Sequence, residues 1–232
     1  MSDLQNIEQP SWGDVVSTPA ERNKVMRNTY WLLALSLLPT VLGAWLGVAT
    51  GITQSLGGGL GLVVFLGGAI GFMFAIEKTK DSSTGVFVLL GFTFFMGLML
   101  SRMIAMVLGF KNGADLIMTA FAGTAGVFAV MATLASVIKR DLSGMGKWLF
   151  VGALVLMVGG IVNMFVGSTA GMMALSVAAI GIFSAYMLYD LKQILDGGET
   201  NYISATLMLY MDLFNVFQSL LALLGIWGGE RD

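Results

Sequence analysis

Leu149-Phe150-Val151-Gly152-Ala153-Leu154-Val155-Leu156-Met157-Val158-Gly159-Gly160-Ile161-Val162 runs without one polar side chain. Widened to residues 146–167, the window is about 33 Å long as a helix, which matches the hydrocarbon core of a bilayer. A helix in water needs a polar face, and this stretch has none. It therefore reads as a membrane-spanning helix. Six further windows of the same kind occupy residues 29–50, 57–77, 84–109, 114–138, 171–195 and 202–227. The connections are short and carry turn residues or charge, as at Glu77 to Ser83, Lys139 to Lys147 and Gly197 to Asn201. The expected fold class is an all-α membrane protein with seven transmembrane helices.

Composition agrees. Of 232 residues, 56% are hydrophobic and 11% charged, against about 25% charged in soluble domains. A soluble chain could not cover so much apolar surface, so the lipid bilayer is the first partner. No basic block marks a nucleic-acid partner. The chain has no Cys and no His. That excludes disulfides, thiolate chemistry, imidazole bases and the usual zinc sites. Proton chemistry must then run on carboxylates, Lys or Tyr.

Residues 1–28 are polar and read as a flexible cytoplasmic tail. Residues 29–229 form the transmembrane domain, and 230–232 a short C-terminal tail. The opening stretch is too long for a signal peptide. With seven spans, one side receives Arg22, Lys24, Arg27, Lys78, Lys80, Lys139, Arg140, Lys147 and Lys192. The other receives Lys111 and Arg231, with Arg102 near that end of the third span. The positive-inside rule then puts the N-terminus in the cytoplasm and the C-terminus outside. Gly43/Gly47 and Gly67/Gly71 have the spacing of close helix contacts, although 31 glycines also produce such spacings by chance. Gly57-Gly58-Gly59-Leu60-Gly61 lacks the Lys-Ser/Thr of a phosphate loop and reads as a turn at a helix start.

Charge inside a membrane is expensive and marks function by default. Asp212, in Leu209-Tyr210-Met211-Asp212-Leu213-Phe214-Asn215, lies about 15 Å into the last span. Asp190 closes Tyr186-Met187-Leu188-Tyr189-Asp190 in the span before it. Counted from Asn201 at the hairpin tip, the two stand eleven residues back and eleven forward, hence at similar depth. Rotation decides whether they meet. If they do, two carboxylates out of water cannot both ionise cheaply, and they share a proton. Such a pair can sense pH, and its oxygens suit Ca2+. The plainer alternatives are an interfacial Asp190 beside Lys192, and Asp212 as a capped polar residue. Arg102 either snorkels to the outer interface or lines an ion path. Asp115 suits a helix N-terminus. Asn163 and Asn215 line a cavity or bridge helices.

Ile182-Phe183-Ser184-Ala185-Tyr186-Met187-Leu188-Tyr189-Asp190 and Leu209-Tyr210-Met211-Asp212-Leu213-Phe214-Asn215-Val216-Phe217 resemble the Bax inhibitor (TMBIM) family. Gly197-Gly198-Glu199-Thr200-Asn201-Tyr202 and Arg27-Asn28-Thr29-Tyr30 are similar to its bacterial YccA-like branch. Thr119-Ala120-Phe121, Thr124-Ala125 and Lys139-Arg140-Asp141-Leu142-Ser143 also fit. The resemblance implies six helices around a central seventh, in the bacterial inner membrane. It further implies a pH-sensitive Ca2+ leak with an aspartate pair as sensor, which maps onto Asp190 and Asp212. Ca2+ is then the transported ion, held transiently by that pair, and no cofactor is expected. A basic latch would fall on Lys78 or Lys80, where the family carries a basic residue at the end of its second helix. The glutamate that some members carry earlier in that helix has no counterpart in Leu66-Gly67-Gly68-Ala69.

The same branch implies an alternative, a non-enzymatic regulator that binds the membrane protease FtsH. A minor alternative, an intramembrane aspartyl protease, meets a mismatch. Asp212 follows Tyr210-Met211 rather than the Gly-x-Gly of that class, so no catalytic residue is assigned and no enzyme is expected.

Overall fold

The computed structural model describes residues 18–54, 56 and 58–230. It consists of seven helices: α1 Pro19–Thr50, α2 Gly58–Thr79, α3 Ser83–Leu108, α4 Gly113–Val137, α5 Met145–Val166, α6 Thr169–Asp196 and α7 Tyr202–Gly228. No strand occurs among the described residues. All seven helices are long and apolar enough to cross a membrane. Six begin and end within a few residues of the windows read from hydropathy.

The first helix departs from expectation. The tail expected over residues 1–28 is helical from Pro19 onward. The reason is local. Thr18 Oγ1 accepts the Glu21 N–H at 3.3 Å, and Glu21 Oε2 accepts the Thr18 N–H at 2.7 Å. This is a capping box, with proline at the first helical position where its missing N–H costs nothing. Residues 1–17 of the expected tail, Gly57 of the glycine-rich turn and Arg231 of the charge count lie outside the described residues. α1 runs through Pro39 without a break.

α1 and α3 form the most intimate pair. The Cα of Gly97 lies against the carbonyl of Thr40, and Gly43 lies against the backbone of Phe94 and Leu98. Gly47 faces the Ser101 side chain, which hydrogen-bonds Thr53 of the following loop at 2.7 Å. Small residues here let two backbones approach, as membrane helix pairs do. The Gly67/Gly71 pair has open space before it instead. Identical spacing thus marks a helix contact on α1 and none within the protein on α2.

α7 carries more buried residues than any other helix, from Ile203 to Leu223. It packs against α1, α2, α3, α4 and α6. The expected ring of six is modified, because α5 packs on α6 and not on α7. Only Leu149 of α5 is buried.

Asparagines fasten both ends of α7. Asn201 Oδ1 accepts the N–H groups of Ile203 and Ser204, while its Nδ2 donates to the Lys80 carbonyl at 3.0 Å and Asp81 Oδ1 at 2.9 Å. At the far end, Asn112 Nδ2 donates to the Gly228 carbonyl, and Asn112 Oδ1 accepts the Glu230 N–H. The α2–α3 and α3–α4 loops therefore hold α7 in axial register.

Candidate functional site: a carboxyl pair between α6 and α7

α6 ends at Gly197, whose φ of 83° lies in the left-handed region that glycine adopts without strain. The chain turns through Gly198 to Asn201 and starts α7. This short hairpin keeps depth on one helix within about a turn of depth on the other. Asp190 and Asp212, equally far from Asn201 in sequence, are brought close enough for each carboxyl to act on the other. Their relative exposures are 5% and 4%. Asp212 Oδ2 is fully buried and finds no N–H or O–H donor from another residue. A proton held between the two carboxyls would give this oxygen a donor.

The surroundings supply little counter-charge. Lys192, two residues from Asp190, pairs instead with Asp196 at 2.8 Å. Glu199, in the α6–α7 loop, is the further carboxylate that bears on Asp190. Tyr186 lies one turn from Asp190 on α6, close enough to feel both carboxylates. Lys80 bonds Glu77, and Lys78 sits over the Phe74 ring at 4.4 Å from its centroid. Arg102 is exposed on α3. The structure thus brings Asp190 and Asp212 together and leaves Lys78, Lys80 and Arg102 apart from them. Among the described residues, no cluster of three or more His, Cys, Asp or Glu could hold a metal ion. Ca2+ takes six to eight oxygens, so the pair alone does not complete its shell.

Two hydrogen-bonded features escaped the reading of the sequence. Tyr210, 2% exposed, meets Thr40 Oγ1 of α1 at 2.9 Å and donates to the Thr93 carbonyl of α3 at 3.4 Å. Thr40 Oγ1 donates in turn to the Ser36 carbonyl at 2.9 Å. A usable signal was present: Tyr210 and Asp212 are two residues apart, which sends them to opposite sides of one helix. The second is a polar cavity of about 160 Å³ next to α6, lined by Asp141, Ser143, Tyr189, Lys192, Gln193 and Asp196 among others. There the Ser143 N–H and hydroxyl hold the Asp141 carboxyl below the usual range. Asn163 lines a wider, mostly apolar groove of about 470 Å³ between α5 and α6. Asn215 bonds the Met211 carbonyl within its own helix.

Comparison with known proteins covers nearly the whole chain. Residues 22–229 match the family model described as Inhibitor of apoptosis-promoting Bax1. The chain is 37% identical over 203 residues to the "Modulator of FtsH protease YccA" of Escherichia coli K12, covering 88% of this chain and 90% of that one. It is 37% identical to an uncharacterized membrane protein of Vibrio cholerae, over 89% of this chain and 91% of that one. It is 34% identical to an uncharacterized protein of Neisseria meningitidis, over 94% of this chain and 97% of the relative. Seven apolar helices, a buried aspartate on each of the last two, and a family match from α1 to the end of α7 lead to one assignment: the chain belongs to the Bax inhibitor family.

Proposed function

We propose that this protein is a non-enzymatic regulator of the bacterial inner membrane that binds and modulates the membrane protease FtsH. The observation that carries the reading is the 37% identity, across about nine-tenths of both chains, to a protein named for modulating that protease. Another relative at the same identity is named an inner membrane protein. The N-terminus and the basic loops face the cytoplasm in this reading. Affinity purification from solubilised membranes is expected to recover the protease with the full chain. Overproduction is expected to slow degradation of membrane substrates. Absence of the protease from the purified material, together with unchanged degradation, would overturn the proposal.

A second reading is favoured by the carboxyl pair itself. A shared proton between α6 and α7 is a pH-responsive element, because losing it leaves two charges in contact within lipid. In this reading, loss of the proton drives the helices apart and opens a path for Ca2+ along α7, with the freed oxygens as transient ligands. The basic latch on Lys78 or Lys80 would require those side chains to leave Phe74 and Glu77. Arg102 would stand at the outer end of the path. Flux of Ca2+ from liposomes is expected to vary across a pH series in the wild type. An Asp212→Asn variant is expected to lose that variation while still folding. Wild-type flux that is flat with pH sinks the leak.

A further inference from the structure

We infer that Tyr210 is a positioning residue: its hydroxyl, held by Thr40 of α1 and the Thr93 carbonyl of α3, sets the rotation of α7 that lays Asp212 on Asp190. This rests on reading Asp190 and Asp212 as the working pair.

Equal depth does not bring two side chains together; rotation must also be right. On a helix, residues two positions apart in sequence are about 200° apart around the axis and about 3 Å apart along it. Tyr210 and Asp212 therefore lie at nearly one depth on opposite sides of α7. Tyr210 points to the α1–α3 pair, and Asp212 points to α6. The α1–α3 pair is a firm support, because Gly43 and Gly97 leave its backbones in direct contact. Gly97 meets the carbonyl of Thr40, the residue whose hydroxyl Tyr210 uses. The Tyr210 ring also packs edge-on to Phe92, with centroids 6.0 Å apart. A Phe at this position would fill the same space, so packing does not explain the hydroxyl.

The hydroxyl is specific in direction. A tyrosine oxygen cannot reach its own helix backbone and must find a partner elsewhere when buried. Thr40 spends its proton on the Ser36 carbonyl, so Tyr210 is the donor to Thr40 Oγ1, with the Thr93 carbonyl as a second acceptor. The asparagines at the two ends of α7 hold its axial position, while Tyr210 fixes its azimuth about a third of the way along it.

The chain has no cysteine, so engineered thiols report alone. Asp190→Cys combined with Asp212→Cys is expected to form a disulfide under mild oxidation in membranes. Adding Tyr210→Phe or Thr40→Val is expected to slow that reaction by about fivefold, the weight of one net hydrogen bond. Thr40→Ser keeps the hydroxyl and is expected to restore the rate, which a loss of general stability would not do. An unchanged rate in both Tyr210→Phe and Thr40→Val overturns the inference, as does failure to cross-link with Tyr210 intact. Thr40→Val probes the same bond if Tyr210→Phe does not accumulate. Neither protease nor ion enters this readout, so it can fail while the proposed function stands, and the reverse.

Discussion

Asn201 satisfies two helix-start N–H groups with its oxygen and two acceptors on the α2–α3 loop with its nitrogen. Removing a helix cap costs about 1 kcal/mol, and each lost tie to a loop costs about as much. Asn201→Ala is therefore expected to lower the unfolding free energy in detergent by roughly 3 kcal/mol. Asn201→Asp keeps the caps, loses the donors and should fall between. A midpoint for Asn201→Ala equal to wild type would show that the loops are not joined there. The same residue explains what was legible in the sequence. Asp190 and Asp212 could be matched in depth because the Gly197 to Asn201 hairpin is short and each carboxylate is eleven residues from Asn201. Their contact was not legible, since rotation depends on Tyr210 reaching Thr40 and Thr93, far away in sequence. Neither Thr is charged, and nothing in its neighbours sets it apart from other membrane threonines.

At the scale of elements, hydropathy located seven helices because lipid permits no other use of such long apolar windows. It misplaced the start of α1, because the residues after Pro19 are polar and a hydropathy window treats them as tail. The Thr18 and Glu21 capping box carried the missing information. Thr18→Ala is expected to quicken hydrogen exchange in the first turn of α1 about fivefold, leaving the exchange of α7 unchanged. Hydropathy also cannot tell Gly43/Gly47 from Gly67/Gly71, since both pairs share one spacing. Their surroundings do. A methyl group at Gly97 or Gly43 would collide with the Thr40 or Phe94 carbonyl, and backbone cannot yield cheaply. At Gly67 and Gly71 it would meet open space. Gly97→Ala is accordingly expected to lose 2 kcal/mol or more, as an order of magnitude for overpacking (~1–3 kcal/mol). Gly67→Ala and Gly71→Ala should be neutral or slightly stabilising, because alanine is the better helix former. Thermal unfolding of the three purified variants decides this, and a destabilised Gly71→Ala would mean that a partner covers α2.

At the scale of the whole molecule, the position of the carboxyl pair and the direction of the chain are one question. Asp190 lies six residues before the end of α6 and Asp212 ten residues after the start of α7, so the pair lies about 9 to 15 Å from the bundle end that carries the α6–α7 loop. That end also presents the N-terminus of α1, the α2–α3 loop and the α4–α5 loop. Its Arg22, Lys24, Arg27, Lys78, Lys80, Lys139, Arg140, Lys147 and Lys192 outnumber Lys111 and Arg102 toward the other end. Positive charge close to spans favours the cytoplasm, so in the proposed orientation a proton leaving the pair by the shorter route would enter the cytoplasm. The pair would then report internal rather than external pH. The absence of cysteine again supplies a clean assay. Ser143→Cys, exposed in the α4–α5 loop, should resist a membrane-impermeant thiol reagent until the inner membrane is opened. Thr169→Cys, exposed at the opposite end of the bundle, should react in intact spheroplasts. The reverse pattern would turn the molecule over and make the same two aspartates a sensor of the outside.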